Sequence, residues 1–348
     1  MRLMVYPASK EVSALARYRN LIKDFDEVVF VTPNHIAKDG DDFAALDGGI
    51  PTGISVSTSF AEELERADAV FFAKSYIPIS EQSLKSNIQL AKKEGKKIFS
   101  QYDFRDDPPV LPKEGLTFVK NTQEDTPLIC DIPVPVVFVM GAGPYTNKFE
   151  TQLSLYEYFK KKGYVVSCIG IKSLAGFFGF DFFTEDYCNS QMSIRDKIIM
   201  LNRTIYRKYL KERPDVMIIG IPGGFMQLNP IRYEEIGDMA YVVSQAVTPD
   251  ASVLCTYASE FEEEQLEWLK NVCQYRLNAP INNLVIANAV MDISFETQQC
   301  DYTTIPLEFL KEKKPLQKCD DLNLFYALDQ EEMDALGAAI EEQLANNL

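Results

Sequence analysis

Residues 138–152 read FVMGAGPYTNKFETQ. An apolar run over 134–140 leads into a turn bearing Gly141 and Gly143. Lys148 stands at the far end of that turn, and an amphipathic segment follows. Strand, glycine turn and helix start, in that order, are the setting of a phosphate-binding loop, whose usual pattern is G-x-x-x-x-G-K-[ST]. Two parts of the pattern are exchanged here. Asn147 precedes the lysine in place of glycine, and Phe149 follows it in place of a hydroxyl. A plain strand-to-helix turn of a parallel sheet also uses glycines, so the pattern alone leaves both readings open.

The chemistry of the segment suits phosphate. Turn amides and the positive end of a helix dipole attract an anion. Glycine lets the backbone approach without a Cβ in the way, and Lys148 can reach outward phosphates as a point charge. Asparagine tolerates a left-handed backbone better than most residues, so Asn147 is the mildest replacement for the second glycine. The candidate nucleotide-binding set is therefore Gly141, Ala142, Gly143, Pro144, Tyr145, Thr146, Asn147, Lys148 and Thr151. Phe149 removes the hydroxyl that normally holds Mg²⁺; Thr146 and Thr151 are the substitutes within reach.

Working outward, the segment opens a run of alternating strands and helices. Strands are expected at 134–140, 164–171, 216–221, 252–256 and 284–289, with helices at 150–162, 193–210, 231–245 and 260–277. Asp329 and Glu332 have the spacing of a capping box for a last helix. The N-terminal half repeats the rhythm, with strands at 3–6, 28–32, 69–73 and 97–100 and helices at 13–23, 59–66 and 80–94. Such alternation implies parallel sheets covered on both faces. Residues 106–135 carry six prolines and no sustained period, which places a domain boundary there. The expectation is two doubly wound α/β domains, a Rossmann- or flavodoxin-like domain over 1–125 and a P-loop NTPase-like domain over 126–348.

Composition bounds the function. The 348 residues suffice for two cores, and 46% of them are hydrophobic. Apolar runs are strand-sized, short of the roughly 20 residues that span a bilayer, and no signal-peptide pattern opens the chain. A net charge of −16, from 35 basic and 51 acidic residues, disfavours nucleic acid and anionic membrane as partners. The seven cysteines include no C-x-x-C pair and His35 is the single histidine. No protein-ligated metal is expected, and Cys130, Cys168 and Cys255, in or beside apolar runs, read as small core residues in a reducing cytoplasm.

Other loops collect polar residues at strand ends, where ligands bind in open α/β sheets. Lys10, Lys74 and Arg105 could converge there as an anion site for a carboxylate or phosphate; as surface loops they need no such role. Asp47-Gly48-Gly49 occupies a similar position. The aromatic run FFGFDFF at 177–183 reads as a peptide-docking surface or lid, or more simply as a loop folded into the core. EFEEEQLE at 260–267 reads as a solvated helix start.

The stretch VVFVMGAGPYTNKFETQLSLYEYFKKKGYVVSCIG, with its first glycine seven residues before the lysine, resembles the opening of dethiobiotin-synthetase-like P-loop proteins. DVMIIGIPGGFMQLNP and AVTPDASVLCTYAS resemble the third and fourth strands of a bacterial two-domain family with a Rossmann-like N-terminal domain and that kind of P-loop domain. In that family an apolar residue and then threonines follow the lysine, which Phe149 and Thr151 partly echo. The likeness covers most of residues 134–290 and implies ATP with Mg²⁺ as cofactor. It departs at the end of the third strand, where relatives carry an acidic residue and this chain has Gly220; Asp215 stands at the other end. Missing hydroxyl and carboxylate put hydrolysis in doubt more than binding.

As a whole the chain resembles a bacterial group of peptide maturation system proteins. The residues that carry this are YPxSKE at Tyr6–Glu11, the Gly141–Lys148 loop and the Gly220–Gly224 turn. The resemblance implies a cytoplasmic, nucleotide-binding accessory protein or enzyme in the maturation of a ribosomally synthesised peptide. A precursor peptide or a peptide-modifying enzyme would be its partner, and a homo-oligomer is left open. Two other readings stand beside it: a non-enzymatic scaffold or chaperone, and a ligase or transferase acting on a small acid through the N-terminal domain.

Overall fold

The computed structural model describes residues 1–76, 79–103, 110–119, 128–227, 237–259, 261–294, 296–297, 299–313 and 322–346. The chain forms two compact units. One comprises Met1–Glu114 with Gly176–Gly179, the other Gly115–Ala175 with Phe180–Leu348. This division precedes the one expected at 125/126, because residues after 114 already hydrogen bond within the second unit. Leu116 N donates to Phe182 O (2.8 Å) and Val119 N to Thr204 Oγ1 (3.0 Å).

The first unit holds strands β1 (Arg2–Tyr6), β2 (Glu27–Val31), β3 (Val56–Ser57), β4 (Ala69–Phe72) and β5 (Lys97–Ser100). Its helices are α1 (Ser13–Arg17), α2 (Ala44–Asp47), α3 (Phe60–Arg66) and α4 (Glu81–Lys93). The sheet order is β3-β2-β1-β4-β5, all parallel. Successive side chains on a strand point to opposite faces. On one face Met4, Tyr6, Val70 and Phe72 pack with Leu64 of α3 and Leu84, Ile88 and Ala91 of α4. On the other, Phe71 and Phe99 meet Phe177 with ring centroids 4.7 and 5.7 Å apart. Ser80 caps α4 by accepting from Ser83 N (3.1 Å), and Gly95, at φ +67°, ends it. The helix expected over 13–23 stops at Arg17 and continues as a 3₁₀ turn at Arg19–Leu21.

The second unit opens with β6 (Val136–Gly141), α5 (Lys148–Lys161), β7 (Val166–Gly170), β8 (Asp181–Phe182), α6 (Glu185–Cys188), α7 (Ile194–Glu212) and β9 (Val216–Gly220). It continues with α8 (Asp238–Ala246), β10 (Ala251–Thr256), α9 (Glu263–Leu277) and β11 (Asn283–Ile286). β12 (Ala289–Ile293), β13 (Cys300–Thr304), α10 (Leu307–Lys313), β14 (Asn323–Tyr326) and α11 (Gln330–Asn346) complete it. Seven parallel strands run β14-β11-β10-β6-β9-β7-β8, so β6 lies centrally between β10 and β9. Every residue of β6, β9 and β10 is buried, as a strand covered on both faces requires.

The strand expected over 284–289 ends at Ile286, and the chain turns back from Ala289 into an antiparallel hairpin of β12 and β13. Residues 231–236 of the helix expected over 231–245 lie outside those described, and α8 begins at Asp238 after a left-handed Gly237 cap. The helix expected from 260 begins at Glu263, after a capping box formed by Glu262 and Gln265. At the last helix Asp329 Oδ1 accepts from Glu331 N (3.0 Å) and Glu332 N (3.2 Å). α11 lies against α5. A Cβ on Gly337 would fall 2.4 Å from the Tyr158 ring, so only glycine permits that approach. Among the described residues no helix is long and apolar enough to cross a membrane.

The aromatic run at 177–183 is the end of a 3₁₀ turn followed by β8, folded into the cores rather than forming a docking surface. Phe177 and Phe178 are buried, Phe180 meets Tyr156 edge-on at 4.6 Å, and Phe182 and Phe183 are buried too. Gly176–Gly179 belongs with the first unit, while the residues on either side belong with the second.

Candidate functional site

The central strand β6 ends at Gly141, and α5 begins seven residues later at Lys148. The helix therefore starts two residues before the expected 150, which puts Lys148 and Phe149 in its first turn. Asn147 caps it in the left-handed conformation, φ 52° and ψ 28°. Tyr145 is left-handed as well, at φ 59°. Two left-handed residues in three fold the loop back on the helix start.

The loop is held from several sides. Ala142 N donates to Cys255 O (2.8 Å), and Phe225 N donates to Gly141 O (2.9 Å). The Tyr257 hydroxyl donates to Pro144 O (2.8 Å). Thr146 Oγ1 donates to Gly143 O (2.9 Å), and Thr151 Oγ1 donates to Asn147 O (2.9 Å). A Cβ on Gly141 would lie 2.4 Å from Lys148 Cδ and 2.6 Å from Thr146 Oγ1. Glycine there is a steric demand of the folded loop.

Lys148 is buried and donates from Nζ to the carbonyl of Gly223, in the turn after β9. The loop lysine thus joins two segments at the carboxyl edge of the sheet. Asn147 Oδ1 is buried without a hydrogen-bond partner among the described residues. An orphan of this kind costs about 1–3 kcal/mol and marks a place where a polar group is expected.

The groups that would hold Mg²⁺ are not in their usual places. Phe149 is buried and offers no oxygen. At Gly220 the space of a side chain is taken: a Cβ there would fall 2.3 Å from Ile171 Cγ1 and 2.6 Å from Gln152 Oε1. The hydroxyls of Thr146 and Thr151 already donate to loop carbonyls. Donors for phosphate are present, while the donor set for its metal does not fit.

Three residues of the site were not singled out by the sequence pattern. Gln152 is fully buried and donates from Nε2 to Ile169 O (2.7 Å). A polar residue four positions after the lysine, on a helix flanked by apolar residues, is the signal that could have found it. Tyr257 pins Pro144 from the loop after β10. Lys172, after β7, stands 5.4 Å over the Phe149 ring and brings a second cation to the start of α5.

In the first unit Lys10 opens the turn after β1 and Lys74 follows β4, at the same sheet edge. Their loops meet where Ser75 Oγ donates to Glu11 Oε2 (3.4 Å). Arg105 lies outside the described residues. Asp47-Gly48-Gly49 is structural: Asp47 is fully buried against Arg17, and Gly48 ends α2 with φ +71°.

No known protein family and no curated protein matches the chain in sequence. Among solved structures, the fold is similar to a DUF1611 family protein from Anabaena variabilis. The TM-score is 0.57 and the identity 13%, over 82% of this chain and 87% of that one. Cobyrinic acid a,c-diamide synthase from Mycobacterium smegmatis, solved with ADP and magnesium, matches at a TM-score of 0.40 and 11% identity, over 62% of this chain and 97% of that one. A nucleotide-binding protein from Archaeoglobus fulgidus in complex with ADP matches at 0.29 and 13%, over 60% of this chain and 88% of that one. The first likeness alone is close enough to define the fold. The chain is an α/β protein with parallel sheets, and in its second unit a glycine-bearing loop joins the central strand β6 to α5.

Proposed function

We propose that the second unit binds the phosphates of a nucleotide, with ATP as the candidate, through residues 141–148 and Thr151. The observation that supports this most is the loop itself. A central buried strand runs into a crowded glycine, a left-handed Asn147 and a buried Lys148 at a helix N-terminus, the combination that receives phosphate. Lys148 would exchange the Gly223 carbonyl for a phosphate oxygen, so binding is coupled to the turn after β9. When bound, Mg²⁺ would neutralise phosphate charge. This chain supplies neither the hydroxyl at 149 nor the carboxylate at 220 that would fix the ion, and so binds nucleotide without hydrolysing it efficiently alone.

That combination favours an accessory protein whose nucleotide-bound state acts on a partner. The whole-chain resemblance supports placing this role in the maturation of a ribosomally made peptide, with the precursor or its modifying enzyme as the partner. The absent carboxylate equally favours a scaffold that retains the loop for binding alone. Calorimetric titration with ATP and ADP, with and without Mg²⁺, tests the site. Lys148→Ala should lose a charge-assisted contact of about 1.5–3 kcal/mol, roughly a tenfold to hundredfold loss of affinity. Equal ATP affinity in the variant and the parent would rule the loop out.

A further inference from the structure

The first unit carries a feature that nucleotide binding by the second does not use. Its sheet order, β3-β2-β1-β4-β5, reverses direction between β1 and β4. In open α/β sheets the crevice at the carboxyl ends of those two strands is where ligands bind. The loop leaving β1 carries Ser9, Lys10 and Glu11, and the loop leaving β4 carries Lys74 and Ser75. Ser75 Oγ reaches Glu11 Oε2 across this point at 3.4 Å, and Lys74 N donates to Gln101 Oε1 (3.0 Å) of the loop after β5. Polar side chains of three loops therefore gather at one end of the sheet.

Ser9 supplies the second, independent observation. It is 3% exposed, and its Oγ has no hydrogen-bond partner among the described residues. Its backbone is extended at the start of a 3₁₀ turn, and the side chain does not cap that turn. A hydroxyl satisfied by neither protein nor solvent is disfavoured unless something else uses it. Its place, three residues past the end of β1 at the switch point, is where a bound group would use it.

From this geometry we infer that the crevice between the β1 and β4 loops binds a small oxyanion, a carboxylate or phosphate, with Ser9 Oγ as donor and the ammonium groups of Lys10 and Lys74 as countercharge. Ser75 holds the Glu11 carboxylate at the rim. A ligand reaching Ser9 parts that contact, which at 3.4 Å is longer than an ordinary hydrogen bond. Tyr102 is half-buried and lies close enough to Ser75 and Glu11 to interact with both.

The test uses the full chain in chloride buffer. Succinate and inorganic phosphate serve as separate probes, read by melting temperature and calorimetry. Every measurement is repeated in Lys148→Ala, so that phosphate held by the second unit is told apart. A saturable rise with either probe that persists in Lys148→Ala supports the inference, and the probe that gives the stronger rise identifies the chemistry. Ser9→Ala should weaken binding roughly threefold to tenfold, and Lys10→Gln roughly tenfold or more. Ser9→Ala separates a ligand-binding hydroxyl from a structural one. With an orphaned hydroxyl removed, the ligand-free melting temperature should hold or rise, whereas a structural role would lower it. No saturable rise with either probe overturns the inference. So does unchanged affinity in both Ser9→Ala and Lys10→Gln, or a signal that vanishes in Lys148→Ala while that variant remains folded.

Discussion

Gln152 occupies the space that a side chain at Gly220 would need. A Cβ built on Gly220 lies 2.6 Å from Gln152 Oε1 and 2.9 Å from its Cδ. Gly220→Asp should therefore not restore a metal-holding carboxylate. It should destabilise the second unit by about 1–3 kcal/mol through overpacking and leave ATP hydrolysis unchanged. Adding Gln152→Ala should recover part of that loss. Denaturant unfolding of the two variants checks the first expectation and a phosphate-release assay the second. A stable single variant with brisk hydrolysis would show that Gln152 yields easily.

Asn147 carries the left-handed residue at the start of α5. Asn147→Gly should hold the melting temperature close to the parent, because glycine enters this region without steric cost. Asn147→Val should lose about 1–2 kcal/mol, because a β-branched side chain is crowded in the left-handed region that asparagine tolerates. Equal thermal stability of the glycine and valine variants would mean that the loop relaxes out of the conformation.

Much of this loop was legible in the sequence, and for a physical reason. Strand, turn and helix start are local features, and asparagine before the lysine already signalled a left-handed backbone. Gln152, Tyr257 and Lys172 were not legible, because each reaches the loop from across the fold. The hairpin of β12 and β13 was hidden for a different reason. VIANAVMDI reads as one apolar run, and Asn288 is the sole polar interruption before Asp292. The chain leaves the sheet there because Asn288 O accepts from Ile305 N (2.9 Å), a bond to the far side of the hairpin. The aromatic run at 177–183 gave no hint that its members divide between two cores, since composition does not record which core receives a ring.

The buried thiols give stability a pH dependence of known sign. Burial pushes Cys255 and Cys273 up to about 12, and partial burial pushes Cys188 up to about 11. An unfolded thiol ionises near 8.5. Between those values the folded chain keeps the proton and the unfolded chain has lost it. Each thiol's contribution is thus fully present below about 8.5 and falls as pH rises toward 12. Cys273 isolates the effect, since burial alone shifts it. Cys273→Ala should destabilise at pH 7 by leaving a small cavity, and its deficit against the parent should shrink by about 1 kcal/mol or more by pH 10. Urea unfolding at the two pH values measures this; a deficit that stays constant would place the thiol in contact with solvent.

In the first unit Arg17 and Asp47 form a buried ion pair. Asp47 is fully buried, and Arg17 bonds both of its oxygens at 2.7 Å, from Nε and Nη2. Ser13 Oγ (2.6 Å) and Gly49 N (2.9 Å) also donate to the carboxylate. Asp47→Ala would leave the guanidinium buried without its charge partner, a change worth about 3–5 kcal/mol. Gly49→Ala attacks the same pair sterically, because its Cβ would lie 2.0 Å from Arg17 Nη2. Displacing that guanidinium should cost about 1–3 kcal/mol. Both changes dismantle one interaction, so the double variant should lose clearly less than the sum of the singles. Chemical denaturation of the four chains closes the cycle. Strict additivity would mean that Gly49 guards the backbone turn and not the Arg17–Asp47 pair.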